Sequence, residues 1–208
     1  MSGRAIAVID YESGNLQSVL NAFIEVGAAP DIVSSPIGLD KYDKIVLPGV
    51  GAFGAGMRAI RSLGLIEPLN EHVAGGKPLL GICLGMQLLC SESTEYGHHE
   101  GLGWIDAKVV AFPDLPNLKV PHVGWNDLQF VREDPILKNV RSGDDVYFNH
   151  SFMVQCEDDN VCLAKTTHGV EFASMLIRDN IVGMQFHPEK SQMVGIELLR
   201  NFVGFVSD

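Results

Sequence analysis

At 208 residues and 46% hydrophobic content, the chain is long enough to bury a continuous core under a covered sheet, and a single domain spanning 1–208 is expected. Fifteen basic against 26 acidic residues leave a formal charge of −11, which argues against a phosphate-backbone surface and so against a nucleic-acid partner. Cys83, Cys90, Cys156 and Cys162 lack the spacing of zinc or redox pairs, the apolar stretch near Met1 is too short for a signal peptide, and no run approaches membrane length, so a reducing, cytoplasmic setting away from membranes is expected.

Ala5 to Ile9 reads as a buried strand, followed by a turn through Ser13-Gly14-Asn15 and then Leu16, Val19, Leu20, Phe23 and Ile24 at helical spacing. Asp31 to Ser34 is a weaker strand. Lys44 to Leu47 is a compact one that stops at Pro48-Gly49-Val50-Gly51, where glycine punctuates a loop. Arg58 to Ala74 is helical material with a break expected near Pro68, and Gly75-Gly76 leads into the apolar run Leu79 to Ile82.

That run delivers Cys83 to a strand-to-helix turn, because Leu84, Met86, Leu88 and Leu89 begin a helical pattern straight after it. Gly81 and Gly85 stand two residues on either side of the cysteine, the arrangement of a nucleophile elbow, in which a sharp turn thrusts the reactive side chain outward. A helix N-terminus beside the sulfur favours the thiolate.

Up to Cys90 strands alternate with helices, which implies parallel pairing with helices on both faces and ligands at the carboxyl ends of the strands. From Trp104 to Gln185 the pattern changes to short β-rich runs at Lys108 to Phe112, Asp145 to Phe148, Val161 to Lys165 and Phe172 to Ile177. The fold class expected is therefore α/β: a single three-layer domain, its central sheet mainly parallel, with an antiparallel β excursion in the second half. Gly195, Leu198, Leu199, Phe202, Val203 and Val206 make a closing amphipathic helix.

His187 and Glu189 follow the apolar run Ile181 to Phe186, and a strand period of two places both on one face, where Glu189 is able to orient His187 toward Cys83. Taken alone, a cysteine flanked by Ile and Leu is more often an inert buried thiol, and a lone His-Pro-Glu a polar strand exit. Joined in one chain with the glycines in place, the segments favour nucleophilic catalysis. Attack on an amide or ester builds charge on the carbonyl oxygen, and the N–H of Leu84 with the Gly49-Val50-Gly51 loop are the candidate donors. The same loop reads alternatively as a flexible turn. No metal set is completed around His98-His99, which reads as a solvated loop; His72 and His168 read as surface residues, and His122 and His150 as core edges or cleft lining.

Gly81-Ile-Cys-Leu-Gly-Met-Gln87 and Phe186-His-Pro-Glu189 resemble the triad, class I, glutamine amidotransferases. Within that superfamily Ile9-Asp-Tyr with Gly14-Asn-Leu, Leu47-Pro-Gly-Val-Gly-Ala-Phe53, Pro121-His-Val-Gly-Trp-Asn126, Tyr147-Phe-Asn-His-Ser151 and His187-Pro-Glu-Lys-Ser191 are similar to the glutaminase subunits of imidazole glycerol phosphate synthase. The resemblance implies that Cys83 attacks the glutamine carboxamide, that His187 assists proton transfer to departing ammonia with Glu189 keeping it oriented, and that a thioester is hydrolysed to glutamate. It further implies that Gly51, Gln87, Glu95, Ser151 and Phe152 hold glutamine, that no cofactor is needed, and that Asn15, Trp125, Tyr147 and Lys190 face a (β/α)₈-barrel cyclase in a heterodimer making imidazole glycerol phosphate and AICAR for histidine biosynthesis. Asn149, where the family usually has an apolar residue, and Glu12-Ser13 are departures near that seam. An anthranilate-type glutaminase subunit is the rival, and Val50 and Met86 stand against it where that type shows Pro and His. A free-standing γ-glutamyl hydrolase and a non-catalytic binding module on the same scaffold remain as further alternatives.

Overall fold

Short, fully buried runs make the centre of the molecule. The computed structural model describes residues 5–12 and 14–206; Ser13, in the first turn, and the opening residues 1–4 lie outside them. In chain order the elements are β1 (Ile6–Ile9), α1 (Leu16–Glu25), β2 (Asp31–Val33), β3 (Lys44–Leu47), α2 (Phe53–Ser62), α3 (Ile66–Ala74), β4 (Leu79–Ile82), α4 (Leu84–Leu88), β5 (Cys90–Ser93), β6 (His99–Glu100) and β7 (Ile105–Ala111). The second half follows with β8 (His122–Asp127), β9 (Gln129–Phe130), β10 (Asp145–His150), β11 (Phe152–Cys156), β12 (Cys162–His168), β13 (Val170–Arg178), β14 (Ile181–Met184) and α5 (Gln192–Gly204).

Among the described residues the main sheet has 12 strands and runs β2-β1-β3-β4-β14-β13-β11-β7-β5-β6, with β12 and β9 branching from β13. Its first five strands are parallel, and β13, β11 and β7 continue antiparallel. The single α/β domain and the antiparallel excursion thus match the sequence pattern. Alternation along each central strand feeds two cores: Ile6, Val8, Val46 and Leu80 pack with Phe23 and Phe202 of α1 and α5, while Ala7, Ile9, Ile45 and Leu79 pack with Met57, Ile60 and Leu69 of α2 and α3. Each such aliphatic side chain contributes about 1.5–3 kcal/mol by leaving water. No helix among the described residues is long and apolar enough to cross a membrane.

Two expectations are corrected. The helical break falls at Gly64, with φ 66°, rather than near Pro68, which sits in the first turn of α3 where its missing N–H leaves no bond unmade. His72 is 5% exposed, with Nε2 3.1 Å from the Pro78 carbonyl oxygen, and so is not a surface residue; His168 is half-buried, its ring stacked on His122 at 4.1 Å.

A separate two-stranded ribbon pairs β8 with β10. One of its faces is covered, burying His122, Phe148 and His150, and the other presents Val123, Trp125, Tyr147 and Asn149. The ribbon therefore joins the core to an outer surface beside the carboxyl end of β4.

Candidate active site

Cys83 connects β4 to α4 with φ 53° and ψ −108°, a backbone conformation that L residues adopt only when the surroundings enforce it. Enforcement comes from close packing. A Cβ on Gly85 would stand 1.7 Å from the Leu47 carbonyl oxygen, one on Gly81 would stand 2.8 Å from the Gly85 backbone, and the Cys83 N–H is tied to the Met184 carbonyl at 2.7 Å. The thiol emerges where β4 and β14 end side by side, Ile82 opposite Met184. Crevices at the carboxyl ends of parallel strands are where such sheets hold ligands.

From that neighbouring strand end comes His187, anchored by its N–H to the Tyr147 carbonyl at 2.9 Å. His187 and Glu189 do not meet through strand periodicity, because β14 stops at Met184 and Pro188 turns residues 188–190 into a single 3₁₀ turn. The turn brings His187 Nδ1 to 2.8 Å from Glu189 Oε1, with side chains only 2% and 1% exposed. Burial opposes charge on the imidazole, yet Cys83 and Glu189 beside it outweigh that cost and raise its pKa from 6.5 to about 9. His187 Nε2 is buried and meets no hydrogen-bond geometry among the described residues, with the Cys83 sulfur as its polar neighbour. The three side chains thus form a contiguous row: sulfur, imidazole, carboxylate.

The glycine loop after β3 lies against the sulfur. Here the Gly49 carbonyl oxygen accepts the Leu84 N–H at 3.3 Å, so that donor is occupied and unavailable to an oxyanion in this conformation. Gly51 has φ 106°, and a Cβ on Gly49 would stand 2.0 Å from the Tyr11 hydroxyl. Turning over the peptide between Gly49 and Val50 would release the Leu84 N–H.

A cavity of about 250 Å³ opens on Cys83, and Val50, Gly51, Leu84, Gln87, Glu95, Ser151 and Phe152 all line it. The structure therefore gathers in one place the residues singled out for substrate. Glu95, 8% exposed, accepts the Phe53 N–H of the α2 N-terminus at 2.6 Å, which fixes a carboxylate suited to an ammonium group. Gln87 Nε2 is engaged by the Phe152 carbonyl at 3.2 Å and by Gln185 Oε1 at 3.0 Å. A larger cleft of about 850 Å³, beside the end of α5, shares no residue with the row and is lined by no cysteine, serine or threonine. Among the described residues no cluster of three or more His, Cys, Asp or Glu is arranged to hold a metal.

Of the residues assigned to a partner surface, Trp125 and Tyr147 face each other across the ribbon with ring centroids 6.1 Å apart, and Lys190 Nζ lies 5.8 Å from the Tyr147 ring. Trp125 is 48% exposed. Asn15 differs. Its amide nitrogen donates to Glu189 Oε1 at 2.7 Å, so the side chain braces the row rather than standing free at the surface. Sequence reasoning also passed over Gln185, fully buried with Nε2 3.9 Å from the Cys83 sulfur; its place two residues before His187 was the available signal.

Comparison with known proteins agrees with this chemistry. The family model for glutamine amidotransferase class-I matches residues 7–204. The chain is 48% identical over 198 residues to "Imidazole glycerol phosphate synthase subunit HisH 1" of Campylobacter jejuni subsp. jejuni serotype O:23/36 (strain 81-176), covering 95% of this chain and 98% of that protein. It is 47% identical over 196 residues to the corresponding subunit of Aquifex aeolicus (strain VF5), covering 94% of each. Among solved structures, PurLQS from Thermotoga maritima superposes with a TM-score of 0.77 at 19% identity, covering 97% of this chain and 98% of that one, which is a likeness of fold.

Proposed function

The chain belongs to the class-I glutamine amidotransferase family, and from that premise we propose that it is the glutaminase subunit of imidazole glycerol phosphate synthase, acting in histidine biosynthesis. The carrying observation is the row Cys83, His187 and Glu189, whose sulfur opens on a cavity lined by Gln87 and Glu95.

In this reading glutamine enters the cavity with its ammonium toward Glu95 and its carboxamide at the sulfur. The Cys83 thiolate adds to the carboxamide carbon, and the charge that moves to oxygen is met by the Leu84 N–H and an N–H of the turned 49–51 loop. His187, protonated, gives its proton to the nitrogen as the C–N bond breaks and ammonia leaves. What remains is a thioester. His187, now neutral, takes a proton from water, whose oxygen adds to the carbonyl, and collapse expels the thiolate and glutamate. Glu189 holds Nδ1 throughout, which keeps Nε2 turned toward the sulfur.

Ammonia released into water becomes mostly ammonium, a poor nucleophile, so its delivery calls for a partner subunit seated over the site. The relatives' names call each of them a subunit of a synthase. The finer proposal is a (β/α)₈-barrel cyclase that docks on Trp125, Tyr147 and Lys190 in a cytoplasmic heterodimer, with residues 1–208 acting as one unit. The occupied Leu84 N–H supports a resting state that turns over little glutamine until the partner shifts the loop. The test is glutamate release by the chain with and without the cyclase, for wild type and Cys83→Ala. Hydrolysis should rise on adding the partner and vanish in the variant; full turnover without the partner, or activity surviving in Cys83→Ala, would sink the proposal.

A further inference from the structure

Beneath the cavity runs a buried hydrogen-bond chain that the proposed mechanism leaves unused. It starts in β8, where Asn126 Nδ2 lies 2.9 Å from the Thr167 carbonyl oxygen and 3.2 Å from His122 Nε2. His122 Nδ1 is 3.0 Å from His150 Nε2, and His150 Nδ1 is 2.7 Å from the Phe152 carbonyl oxygen. That oxygen also accepts from Gln87 Nε2 at 3.2 Å; the same nitrogen meets Gln185 Oε1 at 3.0 Å, and Gln185 Nε2 faces the Cys83 sulfur at 3.9 Å.

The direction of every link is fixed by backbone carbonyls, which only accept. The Phe152 oxygen requires the hydrogen of His150 on Nδ1, so His150 Nε2 is an acceptor and His122 must donate from Nδ1. His122 Nε2 then accepts from Asn126, whose nitrogen is assigned independently by the Thr167 oxygen. On the other limb Gln87 Nε2 serves two acceptors, so Gln185 turns its oxygen to Gln87 and its N–H toward sulfur. Reversing any one group sets donor against donor or lone pair against lone pair. Both rings stay neutral, since burial pushes His122 down to about 4 and His150 down to about 3.

Phe112, Phe148 and Phe172 surround these rings, and apolar side chains there would avoid the desolvation of two imidazoles. Instead the chain ends on two parts of the site: the carbonyl that holds Gln87 and the reacting sulfur. We infer that His150, backed by His122, is a positioning residue that fixes Phe152 and Gln87 in the substrate cavity, and that Gln185 holds the sulfur by an N–H that favours its anionic form. The inference rests on the glutaminase reading for its kinetic arm alone.

The experiment compares wild type, Gln185→Glu, His150→Phe and His150→Asn in two assays, with thermal unfolding as the check on fold. One is alkylation of Cys83 by iodoacetamide, quantified by peptide mass. The other is glutamine turnover in the complex with the cyclase. Gln185→Glu exchanges the N–H at sulfur for an oxygen, and alkylation should slow by roughly tenfold. His150→Phe keeps ring packing but loses the donor, and the glutamine KM should rise roughly tenfold with a smaller change in kcat. His150→Asn restores an N–H near the Nδ1 position and should recover most of the loss. Wild-type alkylation in Gln185→Glu, or equal impairment in the two His150 variants, would overturn the inference. If His150→Phe does not fold, Gln185→Met, which offers no N–H, decides it by alkylation rate: a fall supports the inference and a wild-type rate overturns it. A wild-type complex that hydrolyses no glutamine would overturn the functional reading, and alkylation would still decide the role of Gln185.

Discussion

Asn15 donates to the same oxygen of Glu189 that accepts from His187, at 2.7 Å against 2.8 Å, while Glu189 Oε2 is buried with no partner among the described residues. The carboxylate is therefore aimed from both sides through one atom. Asn15 itself is held at φ 60° immediately before α1, so its amide is delivered by backbone rather than by a flexible arm. Asn15→Ala should lower kcat for glutamine about tenfold while leaving KM near its wild-type value, because the imidazole loses its orientation and the substrate cavity does not change. Asn15→Asp should do worse, by setting two carboxylates together. Steady-state kinetics of the complex measures both, and an unaltered kcat in Asn15→Ala would show that His187 alone aligns Glu189.

The ionisation of His187 gives a second prediction. Its pKa in the folded chain, about 9, lies above the ordinary 6.5 despite the burial that opposes it. Such a group adds stability that is present in full below 6.5 and is lost as pH rises through about 9. Cys83→Ala removes one of the two neighbours that hold the proton. In that variant an NMR titration of the His187 ring should show deprotonation at a lower pH than in wild type; an unchanged midpoint would mean that Glu189 alone supports the charge.

Much of this was legible because the informative features are local. Short, largely apolar runs gave β3, β4 and β14, and the glycines flanking Cys83 gave the elbow. Where the sequence misled, the missing quantity was geometric. Pro188 replaces a strand step with a 3₁₀ turn and still brings His187 to Glu189. His72 continues the buried stripe of Leu65 and Leu69 along α3, and its ring finds a partner in the Pro78 carbonyl that no spacing announces. The polar chain from Asn126 to Gln185 draws residues from β8, β10, β11 and α4 and from the segment after β14, so no spacing in the sequence announces it.

Gly85 supplies the third prediction. Its α-carbon packs so closely on β3 that a methyl group would meet the Leu47 carbonyl oxygen at 1.7 Å, and backbone cannot step aside as a side chain can. Gly85→Ala should cost about 3 kcal/mol of stability and displace α4, with Cys83 at its start. Chemical denaturation measures the first effect and the rate of Cys83 alkylation the second. A variant with wild-type stability would show that β3 and α4 separate more easily than their packing implies.

Lys44 should matter for stability and not for chemistry. It opens β3, is 1% exposed, donates from Nζ to the Phe205 carbonyl oxygen and lies 5.2 Å from the Phe202 ring centroid. The ammonium thus clasps the end of α5 to the N-terminal end of the parallel strands, opposite the end that carries Cys83. Lys44→Ala would leave a void beside Phe202 and remove a donor from the Phe205 carbonyl, with a cost of about 3 kcal/mol. Lys44→Met fills the space without the donor and should recover part of that loss. Both should keep wild-type Cys83 alkylation when assayed well below their unfolding temperatures; slower alkylation in Lys44→Met would tie α5 to the site.

Acid should destabilise the fold through histidines that are kept neutral. Burial is the first cause in each case, pushing His72 and His122 down to about 4 and His150 to about 3, against 6.5 in the unfolded chain. Between these limits the unfolded state binds protons that the folded state refuses, so stability falls as pH drops below 6.5 and continues to fall toward 4. The loss is opposite in sign to the contribution of His187, which weakens on the alkaline side. Replacing His72 by Gln, whose amide is able to reach the Pro78 carbonyl without a titrating ring, should shrink the difference between melting temperatures measured at the two ends of that acid window. An identical difference in His72→Gln would assign the acid sensitivity to other groups, whereas a reduced one would leave His122 and His150 as its remaining source.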